Sequence, residues 1–218
     1  QSAGDQASLV LTLCNLAKTQ HGLNRPVDTV ATYRKAIAVQ SALLLDTPGN
    51  LNHISRLGAL QNNLAFTWHE VGKPEKASVA YEAAIEYQHR AFKLAPTQVT
   101  MYRDALSRTL FNASRTLLDT GRPFEAAELQ QRRGELWPDD PEQLFSVATN
   151  MALAMRHMSN NDPGRAEWRH TASQTLRKAW AVDSHRVIDP GKAAKLARFL
   201  GDALTPTPLV CAEGSRQP

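Results

Sequence analysis

Ala65-Phe66-Thr67-Trp68-His69-Glu70-Val71-Gly72-Lys73-Pro74-Glu75-Lys76-Ala77-Ser78-Val79-Ala80-Tyr81 reads as the end of one helix, a tight turn and the start of another. Gly72 enters the left-handed conformation at little cost, so it suits the residue just past a helix end. Pro74 suits the first turn of the next helix, where its missing N–H breaks no bond. Ala65 stands seven residues before the glycine and Ala77 five after it. Small residues at those places let the two helices pack closely. The signature recurs at Asn24-Arg25-Pro26, Gly121-Arg122-Pro123 and Asn161-Asp162-Pro163. Its four prolines are separated by 48, 49 and 40 residues. Thr29, Ala126 and Ala166 follow these turns as Ala77 does, and Ala17, Ser114 and Ala154 precede them as Ala65 does.

A period of this length marks a stacked repeat, in which each unit buries its apolar face on its neighbours. The spacing predicts eight helices in four antiparallel pairs. The first helices of the pairs (A) fall near 5–23, 51–71, 97–120 and 141–159; the second (B) near 26–46, 74–95, 123–136 and 163–182. Pro48, Pro96 and Pro138 close the first three units, giving units over 5–48, 49–96, 97–138 and 139–183. Asp189-Pro190 is an N-cap with a first-turn proline. The Ala193, Leu196, Ala197, Leu200 and Leu204 stripe after it predicts a closing helix over 190–204, with Lys192, Lys195 and Arg198 facing water. The repeat domain is thus expected over 1–204. Residues 205–218, opening on Thr205-Pro206-Thr207-Pro208, read as a tail.

Composition excludes several classes. The chain has 218 residues, of which 42% are hydrophobic and 21% charged, and no run approaches the ~18 apolar residues of a spanning helix. Its net charge of +4 is scattered and does not call for nucleic acid. Cys14 and Cys211 are too few for a disulfide or zinc framework. There is no phosphate-binding glycine loop, His-Glu-x-x-His or Gly-x-Ser-x-Gly, and adjacent His69 and Glu70 diverge by ~100° on a helix. The expectation is a non-enzymatic protein without cofactor or metal. The chain opens at Gln1 rather than Met, which fits a processed product or a piece of a longer polypeptide. A cytoplasmic location is favoured, with export after signal cleavage the alternative.

The second unit resembles a tetratricopeptide repeat. That family places a small residue midway in helix A, a bulky one at its close, an Ala early in helix B, an aromatic four further on and a Pro at the unit's end. Here these are Ala65, Trp68, Ala77, Tyr81 and Pro96. The resemblance spans about residues 5–183 and implies an all-α, right-handed solenoid. The family unit is ~34 residues; these are longer, by roughly two turns in the B helices of units one and two. Gln130 and His170 replace the helix B aromatic in units three and four. The long units are similar to the arrays attached to planctomycete-type bacterial serine/threonine kinases, although no kinase signature is present.

The resemblance also implies a function in binding other proteins. Asn15, Asn63 and Asn112 stand at one equivalent position, nine residues before each turn residue. Similar asparagines in peptide-binding members hydrogen-bond the backbone of an extended ligand; the other reading is a strut between adjacent helices. One turn further on stand Lys18, Phe66, Arg115 and Met155, and Arg108 lies four before Asn112. A concave groove bearing Lys18, Arg108 and Arg115 favours an acidic segment of a partner protein, against the alternative of solvated helix surface. Met151, Met155 and Met158 read as core before binding face, and Cys14 as a small buried hydrophobe. Asn112-Ala113-Ser114 fits a glycosylation acceptor but falls mid-helix. Two rival functions remain open: a subunit packed permanently in a larger assembly, and the regulatory repeats of a signalling kinase.

Overall fold

Three turns take the form that their residues prescribe. Asn24, Gly72 and Gly121 have φ of 54°, 68° and 71°. In each, the following N–H reaches back over the turn: Arg25 to the Gln20 carbonyl, Lys73 to Trp68 and Arg122 to Leu117, all at 2.9 Å. This closes the otherwise orphaned carbonyls of helix A. Pro26, Pro74 and Pro123 then begin the B helices.

The computed structural model describes residues 2–95 and 99–201. Leu204, Pro96, the 205–218 tail and Cys211, on which expectations fell, lie outside them. The described helices are α1 (Ala3–Gly22), α2 (Pro26–Asp46), α3 (Leu51–Glu70), α4 (Pro74–Leu94), α5 (Val99–Asp119), α6 (Pro123–Glu135), α7 (Pro141–Arg156), α8 (Gly164–Val182) and α9 (Pro190–Leu200). No strand occurs among the described residues. The fold is an all-α, right-handed solenoid of helix pairs. α3 and α7 start on side-chain caps from Asn50 and Asp140, and Asp189 caps α9. α2 and α4 have 21 residues each and α6 only 13, which accounts for the longer first units. Gly201, with φ 70°, ends α9 directly after Leu200, short of the expected reach to Leu204.

Each helix packs on the next, and α9 lies against both α7 and α8. Ala17, Ala65, Ser114 and Ala154 are buried where the paired helices approach, as are Thr29, Ala77 and Ala126. α3 and α4 also approach closely at Gly58, where a Cβ would stand 2.6 Å from Gln88 Cγ and 3.3 Å from its backbone nitrogen. The core falls into two main clusters. One runs from Val10 through Tyr33, Leu64 and Tyr81 to Ala113. The other runs from Leu117 through Met151, Met155 and Met158 to Leu176 and Leu200. The methionine stripe is therefore core, each such side chain contributing about 1.5–3 kcal/mol by burial.

The fourth turn departs from the expected form. Asn161 does not take a positive φ. α7 ends at Arg156 rather than near 159, and α8 begins only at Gly164. Asp162 instead accepts from the Ser159 N–H at 2.7 Å, while Ser159 Oγ accepts from the Asn161 N–H at 3.3 Å. The extra length shifts the pairing. Ala166 and His170 are exposed, and Ala172, Leu176 and Ala179 form the buried seam of α8. On the A side, burial in α7 follows α5 at an offset of 41 residues: Leu110 matches Met151, Ala113 matches Ala154 and Leu117 matches Met158. The residue equivalent to Arg115 is thus Arg156, and Met155 is buried behind it.

Candidate functional site

Three A helices present corresponding positions in one row. Asn15 and Lys18 are exposed on α1; Phe66 is exposed and Asn63 half-buried on α3; Arg108 and Arg115 are exposed and Asn112 half-buried on α5. Phe66 holds its ring 5.9 Å from that of His21, at an angle of 43°. The Arg115 guanidinium lies 6.0 Å from the Phe111 ring centroid, within range of a cation–π attraction.

The row is tied across units by side chains. His21 Nε2 lies 2.5 Å from Glu70 Oε2, and His69 Nε2 lies 2.6 Å from Asp119 Oδ2. Thr109 donates to the Asn62 amide oxygen at 3.0 Å. These links join α1 to α3 and α3 to α5. The two His–carboxylate pairs are partly exposed, so each contributes at most about 1 kcal/mol; their value is in fixing how neighbouring A helices align.

The asparagines differ in their surroundings. Asn63 Oδ1 accepts from the Asn62 amide at 3.3 Å. It also faces the Tyr33 hydroxyl, whose pKa burial and nearby Cys14 push up while Asn63 acts the other way. These contacts lie within α3 and toward Tyr33 of α2, and in this row Asn62 makes the hydrogen bond to α5. In all three units the asparagine's backbone carbonyl accepts a threonine hydroxyl one turn on, from Thr19, Thr67 and Thr116 at 3.0, 2.9 and 3.2 Å. Cys14 is a free, half-buried thiol whose pKa is raised by burial, against the opposing pull of Arg56 and Lys18. It is accordingly a poor nucleophile.

Two features of this region escaped sequence reading. One is the His–carboxylate ladder: the divergence of adjacent His69 and Glu70 bears only on a shared metal, whereas the ladder's signal lies between units, where His21 and His69 match in register and Glu70 matches Asp119. The other is Arg133 on α6, buried to 7% exposure. It donates to Ser107, Gln130, Ser146 and Gln143 at 3.1, 3.4, 3.1 and 2.6 Å, joining α5, α6 and α7. Burial lowers its pKa. Among the described residues no group of three His, Cys, Asp or Glu side chains could hold a metal, and no helix is long and apolar enough to cross a membrane.

No family model matches the chain, and no curated protein matches it. Solved structures do. A Podosopora anserina protein of nearly identical TPR-like repeats, described as kinesin light chain-like, aligns over 88% of this chain and 86% of its own at 14% identity and a TM-score of 0.56. BtubC from P. vanneervenii aligns over 92% and 83% at 16% identity and a TM-score of 0.45. YrrB, a TPR protein described with an unusual peptide-binding site, aligns over 86% and 82% at 16% identity and a TM-score of 0.36. The chain has the fold of TPR-like repeat proteins.

Proposed function

We propose that the chain is a protein-interaction module that holds an extended, acidic segment of a partner along the concave face of its A helices. The observation that supports this most is the row itself: Lys18, Phe66 and Arg115 stand exposed at matching positions of α1, α3 and α5, with Arg108 exposed two turns before Arg115, on helices joined by side-chain links. Phe66 supplies an apolar rest, the cations supply charge recognition, and Asn15 and Asn112 supply amides that satisfy a peptide unit without reading its side chain. No reaction chemistry, nucleic-acid partner or membrane insertion is assigned to these residues.

An array of immobilised acidic peptides, probed with the full chain, tests the reading. Arg108→Glu and Arg115→Glu should each weaken binding at least about tenfold, an effect that shrinks at high salt because exposed charges are screened. Asn112→Ala should cost about 1 kcal/mol of affinity with the melting temperature unchanged. Asn63→Ala should instead lower the melting temperature, as expected of a brace. Acidic peptides that bind all these variants equally well would remove the A-helix row as the binding face.

A further inference from the structure

At the far end of the array, α7 and α9 flank a half-open cavity of about 500 Å³. Leu153, Leu196 and Phe199 give it an apolar lining, while Arg156, Lys192 and Lys195 also line it and no carboxylate does. Its position follows from how α9 is seated. Ala193, Ala197 and Leu200 are buried against the units beneath. One helical step away, positions 192, 195, 196 and 199 make a second stripe, which faces α7 across the cavity. Lys192 and Lys195, expected simply to face water, are exposed but stand at this opening. The Arg156 guanidinium lies 5.1 Å from the centroid of the Phe199 ring, which holds it over the apolar lining. None of the three cations is among the residues that form ion pairs with described carboxylates.

We infer that this cavity is a second binding site, taking a partner segment in which a bulky apolar side chain is flanked by carboxylates. The charge complement is one-sided: three cations without counter-ions surround a volume of the size that ordinary ligand pockets have. An apolar side chain on Leu153, Leu196 and Phe199 excludes water, and the neighbouring carboxylates then meet Arg156, Lys192 and Lys195 in a less polar setting, where charge-assisted bonds are stronger. A wholly apolar segment leaves the cations unmatched, and a wholly acidic one leaves the lining wet. Arg156 holds on α7 the position of Arg115 on α5, so the site continues the A-helix face and rests on the reading of that face, while Lys192, Lys195 and Phe199 of α9 are its own.

The test uses the full chain and a fluorescein-labelled peptide, Asp-Glu-Leu-Phe-Glu-Asp, followed by fluorescence anisotropy at low and high salt. Lys195→Glu and Arg156→Glu should each weaken binding at least about tenfold, more at low salt than at high. Leu153→Gln, which removes the apolar contact without adding charge, should do the same with less salt dependence. Replacing the peptide's Leu and Phe by Ala, or its acids by their amides, should weaken it comparably. Lys35→Glu, exposed on α2 and outside both surfaces, should leave this peptide's affinity unchanged, and unaltered melting temperatures should show that the exposed substitutions leave the fold intact. Equal binding to Lys195→Glu, Arg156→Glu and the parent overturns the assignment. So does equal binding of the Ala-substituted peptide, which reduces the effect to loose charge attraction. Loss of binding through Arg115→Glu alone overturns the cavity site and leaves the A-helix row standing. Tighter capture of phosphatidylserine vesicles or an oligothymidylate by the same cations overturns it in favour of a lipid surface or a nucleic acid.

Discussion

Arg133 carries a charge into the interior with no carboxylate beside it. Four neutral oxygens from Ser107, Gln130, Ser146 and Gln143 replace its hydration, and its guanidinium also lies 5.3 Å from the Phe111 ring centroid. A planar fork with five donors suits so dispersed a set of acceptors, whereas an ammonium suits it poorly. Arg133→Ala should therefore cost about 3 kcal/mol of unfolding free energy, from stranded acceptors and an emptied volume. Arg133→Lys should recover little of it; denaturant titration of both variants decides, and full recovery by Lys would deny the fork its role. A charged residue in the last turn of a short helix reads from sequence as surface, and only the proximity of α5 and α7 makes it interior. Asn63 shows the same limit. Its register with Asn15 and Asn112 was legible, but whether its amide was free depended on Asn62 and Tyr33, one beside it and one on another helix.

The helices were legible because their ends carry their own chemistry. Left-handed residues and first-turn prolines fix α1 to α6 at the turns, and the side chains of Asn50, Asp140 and Asp189 fix the starts of α3, α7 and α9. The opposite case is α8: Asn161-Asp162-Pro163 has the right letters, yet Ser159 and Asp162 hold a different turn, so the seam begins later than Ala166. α9 is the element whose removal is most informative. Its Ala193, Ala197 and Leu200 are buried, and Ala197 and Leu200 share a cluster with Met155 and Met158. A chain ending at Asp189 should lose about 3 kcal/mol or more by exposing this surface, melt earlier and aggregate. Unchanged melting and a monomeric truncated chain would show that α9 adds nothing to the stack. Its side toward α7 was not legible, since stripe analysis identifies the buried face of a helix and not what lines a cavity beside it.

Along the whole array, the two main clusters meet around α5 and α6, where Leu129 packs against both and Arg133 supplies polar bonds rather than hydrocarbon. In a stack where units touch only neighbours, stability is a sum of local terms and a weaker junction opens first. Native-state hydrogen exchange should accordingly resolve two protected blocks, one over α1 to α4 and one over α7 to α9, with α5 and α6 exchanging through a lower-energy opening; uniform protection along the chain would refute the division. The repeat period gave this order of units in advance, but not the division, which depends on which side chains fill each interface. The fourth turn has a further consequence, for how such an array changes over generations. One residue inserted within a helix rotates all that follows by ~100° and carries its apolar stripe off the core. Residues added between α7 and α8 are taken up as slack, and the pair still closes. Insertions and deletions are thus filtered by where they land: helices keep strict step while turns drift in length, and descendants of one ancestral unit can lose their common spacing long before they lose their common shape.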